Sequence, residues 1–211
     1  EVKEKYDDGR RTEIVPNAEE FTPEDFYPDD DVVITISHLG YIKRTNLAEY
    51  RAQKRGGKGA KGSATRDEDF IEHLFNTTMH HTLLFFTESG RCYWLKGYEV
   101  PEGARDSKGR TLQNLISISP DDKVRAIINV RQLDDPDYTS SHYVVMCTRC
   151  GVVKKTLLSE YSRPRSTGII AVNIREQDQL LEAVLTDGRV SSCLPAGTGR
   201  QSGSMRIPYA P

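Results

Sequence analysis

One stretch decides the fold of this chain: Asp31-Val32-Val33-Ile34-Thr35-Ile36-Ser37, then His38-Leu39-Gly40, then Tyr41-Ile42-Lys43-Arg44. The first run is rich in β-branched residues, and a glycine separates it from a second extended run, which predicts a β-hairpin. The same hairpin returns at residues 82–95 around Gly90 and at residues 143–155 around Gly151. The three turn glycines are 50 and 61 residues apart, and such spacing indicates a repeat architecture.

The repeated units match beyond their hairpins. A bulky residue follows each turn glycine after ten positions, and a second glycine comes later, inside a polar and partly basic loop. The bulky residues are Tyr50, Val100 and Tyr161, and the later glycines are Gly59, Gly109 and Gly168. Apolar strands are predicted after the last two loops, at residues 112–116 and 169–172, and connecting strands at residues 123–128 and 180–185. About four strands per unit predict an all-β, propeller-like fold of three to four blades. A β-sandwich is the alternative, but it does not require loops matched at fixed offsets.

The two ends of the chain differ from the repeat. Residues 1–13 are predicted to be the end of a polar helix, and residues 14–31 an extended acidic linker that contains three prolines. Residues 32–188 are predicted to form the blade domain. Residues 189–211 are rich in glycine, serine and proline and are predicted to be irregular or disordered. The chain opens with Glu1 and not with Met, which suggests a fragment of a longer protein.

The charge of the chain is unevenly distributed. The net charge is −2, from 29 basic and 31 acidic residues. Residues 1–31 hold 12 acidic and 4 basic residues, which leaves 19 acidic and 25 basic residues for the rest. A basic body therefore follows an acidic leader, which is predicted to be a solvated linker or a competitor for the basic face.

The strongest functional signal is Gln53-Lys54-Arg55-Gly56-Gly57-Lys58-Gly59, a box with three cations and three glycines in seven residues. Glycines let the backbone approach a ligand closely and expose its N–H groups. Cations beside exposed N–H groups suit phosphate, so we expect the box to bind a nucleic-acid backbone. Lys54, Arg55 and Lys58 are the first candidates for phosphate contact.

Further cations are candidates because of their places in the repeat. Lys43 and Arg44 occupy the same hairpin positions as Lys154 and Lys155, and repeated basic pairs would line one rim. The remaining candidates flank the box or lie in or near the corresponding loops: Arg51, Lys61, Arg91, Lys108, Arg110, Arg163 and Arg165. Each of these could equally be a solvated surface charge.

Other kinds of site find little support in the sequence. Cys147-Thr148-Arg149-Cys150 has metal-ligand spacing, but a zinc site needs two more ligands, and His142 is the only nearby candidate. Gly56-Gly57-Lys58-Gly59 lacks the upstream glycine and the following Ser or Thr of a P-loop. We therefore expect no catalytic residue, no metal and no cofactor. Four scattered cysteines favour a reducing cytoplasm, and no apolar run is long enough to span a bilayer.

The repeat, the box and the leader together resemble the C-terminal domain of the DNA gyrase A family, whose box reads Q-R-R-G-G-K-G. The resemblance covers residues 1–188 and extends to Glu49-Tyr50, Asp69-Phe70-Ile71 and Lys154-Lys155-Thr156. It implies a β-pinwheel whose blades exchange hairpin strands, with duplex DNA wrapped around its basic rim. The family usually has six blades, whereas this chain supports three and a fraction.

The resemblance also implies a biological setting. The family's parent enzyme is an ATP-dependent type II topoisomerase that introduces negative supercoils, in the bacterial cytoplasm at the nucleoid. Its partners would be duplex DNA, the gyrase B protein and the cleavage domain of gyrase A, and ATP and Mg²⁺ would belong to those other parts. The alternatives are the corresponding domain of topoisomerase IV, a protein-interaction propeller, and an enzyme that uses the Cys147–Cys150 pair.

Overall fold

The computed structural model describes residues 23–50 and 69–188, together with Lys5. These ranges form three successive units of antiparallel strands. The first unit holds β1 (Asp31–Ser37), β2 (Tyr41–Asn46) and β3 (Ile71–Thr78). The second holds β4 (Thr82–Thr87), β5 (Arg91–Lys96), β6 (Arg110–Thr111) and β7 (Val124–Val130). The third holds β8 (Tyr143–Thr148), β9 (Val153–Leu157), β10 (Ile169–Ile170) and β11 (Leu180–Thr186).

Helical structure in the described ranges is short. One α-helix, α1 (Pro136–Ser141), precedes β8 and begins where the Asp135 side chain accepts a hydrogen bond from the Asp137 N–H group. Single 3₁₀ turns follow the second hairpin strand of each unit, at Leu47–Glu49, Gly97–Glu99 and Leu158–Tyr161. Two more lie at Pro23–Phe26 and Leu112–Asn114.

The second and third units each give a two-residue strand to the sheet of the unit before them. The first sheet has the order β3-β1-β2-β6, although β6 comes after the second hairpin in the chain. The second sheet has the order β10-β5-β4-β7, although β10 comes after the third hairpin. The third sheet, β11-β8-β9, has three strands among the described residues. The architecture is therefore a propeller-like pinwheel with exchanged strands, which confirms the predicted fold class.

The three hairpin turns share one geometry. Gly40, Gly90 and Gly151 have φ angles of 80°, 80° and 84°, a region that disfavours side chains other than glycine. A Ser or Thr three residues before each glycine closes the turn. Its carbonyl accepts the glycine N–H, and its hydroxyl accepts the next N–H, as in the Ser37 bonds to Gly40 and Tyr41.

One aspartate holds each hairpin turn, and it lies just before the outer strand of the same sheet. We call Asp69, Asp122 and Asp178 the aspartate clamps; each lies two residues before β3, β7 or β11. Each carboxylate accepts the N–H of the residue before the turn glycine: Leu39 at 3.0 Å, Ser89 at 3.1 Å and Cys150 at 2.9 Å. Each also accepts the N–H of its own following residue. The clamps were not predicted, although an aspartate at one offset before three strands was visible in the sequence.

The core consists of two hydrophobic clusters, one between the first and second sheets and one between the second and third. β4 supplies both, because Leu83 and Phe85 point into one cluster while Leu84 and Phe86 point into the other. All six β4 residues are buried, which explains why this strand has no polar alternation.

Two predictions from the sequence need correction. Residues 112–116 were expected to form an apolar strand, but the chain makes the two-residue strand β6 and then a 3₁₀ turn at Leu112–Asn114. The turn directs the buried Leu112 and Ile116 into the first cluster, which a continuing strand would not do. Likewise, only Ile169–Ile170 of the predicted strand 169–172 pair in a sheet. The predictions for residues 1–13 and 189–211 fall outside the described residues, apart from Lys5.

The end of the acidic leader packs on the second unit. The Tyr27 ring stacks on Tyr98 with the centroids 4.9 Å apart, and the Glu24 carboxylate lies 2.5 Å from the Lys96 ammonium. The Asp29 carboxylate accepts the His80 N–H at 3.0 Å. Burial alone would lower the pKa of Lys96, but the hydrogen bond and charge of Glu24 raise it. Residues 24–29 therefore follow the surface of the second unit.

Replacing Phe86 by alanine should destabilise the fold strongly. The ring is fully buried and packs edge-on against Tyr161, with the centroids 5.7 Å apart. We expect Phe86→Ala to lower the free energy of unfolding by about 3–5 kcal/mol, because it leaves a cavity between two sheets. Urea unfolding followed by circular dichroism measures this change. Leu181→Ala, at a side chain that is 43% exposed, is the control and should cost less than about 1 kcal/mol. Equal losses in the two variants would contradict the packing of Phe86 between the second and third sheets.

The clamp at Asp178 should make stability depend on acid pH. Burial would raise the pKa of Asp178, but hydrogen bonds from Thr148, Cys150 and Gln179 lower it below its usual value. A lowered pKa means that the folded state prefers the ionised carboxylate. The stabilisation is therefore present above about pH 4, the value for an unfolded aspartate, and is lost as the pH falls through the folded pKa.

Thermal unfolding from pH 3 to pH 7 tests this dependence. Asp178→Asn keeps an acceptor oxygen but cannot titrate, so its melting temperature should fall less steeply below pH 4 than that of the parent chain. Asp121→Asn, at an exposed residue outside the clamps, should follow the parent curve. A parent-like curve for Asp178→Asn would show that the clamp carries no acid sensitivity.

Candidate nucleic-acid interface

The predicted box lies outside the described residues. Residues 51–68 contain Gln53, Lys54, Arg55, Gly56, Gly57, Lys58 and Gly59 as well as Arg51 and Lys61, so their assignment stays a prediction. The corresponding segments of the next two units are described, at residues 101–109 and 162–168. We call these segments the second and third inter-blade loops, because each runs from a 3₁₀ corner to the strand given to the preceding sheet.

The second inter-blade loop is anchored along the edge of β2. Gly103 N–H donates to the Arg44 carbonyl and Arg44 N–H donates to the Pro101 carbonyl, both at 2.9 Å. At the other end of the loop, β6 pairs with Tyr41 and Ile42. Lys108 in the loop and Arg110, the first residue of β6, are exposed, and Arg105 is half-buried. Sequence reasoning did not select Arg105, although it lies in the same basic loop.

Lys43 lies inside this loop and not on the surface. The residue is 2% exposed, and its ammonium donates to the carbonyls of Ala104, Arg105 and Ser107 at 3.1, 2.7 and 2.9 Å. Burial lowers the pKa of Lys43, and the charges of Asp106 and Glu49 partly offset this effect. The sequence-based prediction that Lys43 contacts phosphate does not fit this environment, because the ammonium is enclosed and its three protons have protein acceptors.

Arg44 is also turned towards the neighbouring unit. Its guanidinium donates to the Tyr98 carbonyl at 3.2 Å and lies 3.5 Å from the Glu102 carboxylate, and its side chain is 13% exposed. Trp94 occupies the same position in the second hairpin, and its indole N–H donates to the Tyr161 carbonyl at 2.8 Å. This position therefore holds successive units together, and Arg44 is not free to line a rim.

The third inter-blade loop repeats the arrangement with other side chains. Arg163 and Arg165 are exposed. The Arg91 guanidinium donates to the Thr167 carbonyl at 2.7 Å, so this predicted phosphate ligand is engaged with the loop. The Tyr93 ring, at the position of Lys43, packs against Gly168, where an added Cβ would lie 2.6 Å from the ring.

The basic pair in the third hairpin is more accessible than the pair in the first. Lys154 is exposed and donates to the Ala171 carbonyl at 2.6 Å, while the Lys155 ammonium lies 4.0 Å from the centre of the Tyr143 ring. The two pairs occupy equivalent hairpin positions, as predicted, but the structure does not bring their four side chains to one surface.

The described residues offer no obvious centre for other chemistry. Within 23–50 and 69–188, no three His, Cys, Asp or Glu side chains gather as metal ligands would. Burial and the charge of Asp178 raise the pKa of Cys147, which disfavours the thiolate that metal binding or nucleophilic attack requires. No helix in the described ranges has the length and apolar character needed to cross a membrane.

Comparison with known proteins identifies the repeat. The family described as the DNA gyrase C-terminal domain, a β-propeller, matches residues 31–78, 81–131 and 142–187. The chain is 45% identical to the DNA gyrase A protein of Halalkalibacterium halodurans over 188 residues, which are 89% of this chain and 22% of that protein. It is 41% identical to the DNA gyrase A protein of Salmonella typhimurium over 199 residues, 94% of this chain and 22% of that protein.

Solved structures agree on the fold. A C-terminal domain of DNA topoisomerase IV superposes with a TM-score of 0.62 at 28% identity, covering 76% of this chain and 47% of that one. A DNA gyrase A C-terminal domain gives a TM-score of 0.58 at 22% identity, covering 74% of this chain and 48% of that one, which supports the fold alone. The chain spans about a fifth of the length of the gyrase relatives. With three matched repeats and an exchanged-strand architecture, the chain belongs to the family of DNA gyrase A C-terminal domains.

Proposed function

We propose that this chain binds, bends and wraps duplex DNA without sequence preference. The observation that carries the proposal is the repetition of basic loops at one position of the fold. The second inter-blade loop exposes Lys108 and is followed by the exposed Arg110 at the start of β6, and the third loop exposes Arg163 and Arg165. In the first unit, the segment at the same place in the sequence carries the box. The names of the relatives support DNA as the partner.

The physical case rests on backbone contacts. Bending a 20–30 bp stretch of DNA costs on the order of 1–6 kcal/mol, and wrapping proteins offset this cost with many phosphate contacts. Cations on successive loops would meet phosphates along a curved path, and each contact releases counterions. The described residues show no row of exposed aromatic rings beside these loops, so base stacking has no support here.

Membership in the gyrase A family supports a place in a larger enzyme. We propose that the chain acts within a type II topoisomerase that introduces negative supercoils, together with the gyrase B protein and the cleavage domain of gyrase A. ATP and Mg²⁺ would act in those other parts, and the setting would be the bacterial cytoplasm. The intact box favours gyrase over topoisomerase IV, whose solved C-terminal domain shares the fold.

Ligation of nicked plasmid in the presence of the chain tests wrapping. We expect a positive shift in linking number that is lost in the variant Lys54→Ala/Arg55→Ala/Lys58→Ala. Lys123→Ala/Arg131→Ala removes two exposed cations outside the inter-blade loops and should keep the shift. Binding without any shift in the parent chain would reject wrapping, and absence of binding at low salt would reject DNA as the partner.

A further inference from the structure

We propose that Lys43 is a positioning residue for DNA binding: its buried ammonium holds the second inter-blade loop in the conformation that presents the loop's cations to DNA. The inference rests on the proposed function. The Lys43 ammonium is enclosed and does not contact phosphate itself. Its part in DNA binding is indirect, through a loop that lies about 60 residues further along the chain.

The ammonium is fully engaged by the loop backbone. An ammonium group has three protons, and Lys43 directs them to the carbonyls of Ala104, Arg105 and Ser107, at 2.7–3.1 Å. Three carbonyl oxygens that converge on one point repel each other unless a cation lies between them. The conformation of the loop therefore depends on the charge of Lys43 as well as on its volume.

The alkyl part of Lys43 fixes the ends of the same loop. An added Cβ on Gly103 would lie 3.3 Å from the Lys43 Cδ atom, and one on Gly109 would lie 3.2 Å from the Lys43 Cβ atom. The glycine backbone thus packs directly on the lysine stem. The Thr45 hydroxyl, on the same strand, donates to the Gly103 carbonyl at 3.0 Å and adds a further anchor.

These contacts give the loop one side that faces Lys43 and another side that faces solvent. Its carbonyls turn inwards to Lys43, while Lys108 and Arg110 are exposed on either side of Gly109. The third inter-blade loop is held in a comparable way, because Arg91 donates to the Thr167 carbonyl and Tyr93 packs on Gly168. In both units, side chains of the preceding hairpin hold the loop and leave its own cations exposed.

Lys43→Met tests the proposal, because it keeps an unbranched chain of similar length and removes the charge. In the full 211-residue chain we expect hydrogen exchange of the amides at 104–110 to rise about tenfold or more, since three loop carbonyls lose their shared donor. Exchange in β4 should not change. Lys154→Met is the matched control, because Lys154 holds the same hairpin position but is exposed and donates to the Ala171 carbonyl, outside the inter-blade loops.

DNA affinity measured over a range of salt concentrations provides the functional readout. Lys108→Ala/Arg110→Ala should reduce the slope of log K against log salt by about two, one unit for each lost phosphate contact. Lys43→Met should reduce it similarly, and adding Lys43→Met to the double variant should cause little further loss. Such non-additivity is expected of residues that act through one loop.

Several outcomes would overturn the proposal. Unchanged exchange at 104–110 in Lys43→Met would show that the ammonium does not hold the loop, and additive losses of affinity would place its effect elsewhere. An unchanged salt slope in Lys108→Ala/Arg110→Ala would remove the DNA role of this loop, while the linking-number experiment on the box would still decide the proposed function.

A second variant keeps the test decisive if Lys43→Met does not fold. Gly109→Ala leaves Lys43 in place but introduces a Cβ atom 2.6 Å from the Ile42 carbonyl oxygen, at a residue whose φ angle is 81°, so the backbone at the end of the loop must shift. We expect it to reproduce the faster exchange and the reduced salt slope. Parent-like values for both measurements in Gly109→Ala would overturn the proposal.

Discussion

The exchange of two-residue strands is the constraint on which the rest of this structure depends. β6 pairs with Tyr41 and Ile42, and β10 pairs with Arg91 and Cys92, so the second and third units each complete the sheet of the unit before them. The exchange covers a sheet edge whose N–H and C=O groups would otherwise lack partners. It also returns the chain to the preceding hairpin, which fixes both ends of each inter-blade loop. The placement of the loop cations is therefore a consequence of sheet completion.

Packing between sheets follows from the same arrangement. The central sheet is covered on both faces, and β4 accordingly places Leu83 and Phe85 on one side and Leu84 and Phe86 on the other. Burial of each such side chain contributes roughly 1.5–3 kcal/mol. Each aspartate clamp holds its turn through two N–H groups of its own sheet, so the polar ends of the hairpins are satisfied locally while the apolar residues join neighbouring sheets.

Local sequence was enough to predict the hairpins but not the roles of their cations. Glycines at matched offsets and β-branched runs are short-range signals, and they correctly indicated a blade repeat. Lys43 and Lys154 are indistinguishable by that criterion, since each lies three residues after a turn glycine. One is enclosed and the other exposed because the acceptors of Lys43 come from a loop 61 to 64 residues away, which no local pattern encodes. The prediction of a strand at 112–116 was wrong for a similar reason. Leu112 and Ile116 are buried between two sheets, and this long-range packing outweighs their local propensity for extended structure.

The repeat also defines what would complete the third sheet. Among the described residues, β9 pairs with β8 alone, and Val152, Val153 and Leu157 are 36–38% exposed along it. In the first and second sheets, the segment that adds the fourth strand begins with a glycine of positive φ, which two extended residues follow. The N–H of the next residue donates to the carbonyl of the turn glycine at 2.8 Å. A segment of that form would pair beside Val152 and Val153 and donate to Gly151. It would also bring an inter-blade loop past Lys154, whose ammonium already reaches a backbone carbonyl. Lys154 therefore occupies, in the third hairpin, the position from which Lys43 holds a loop in the first.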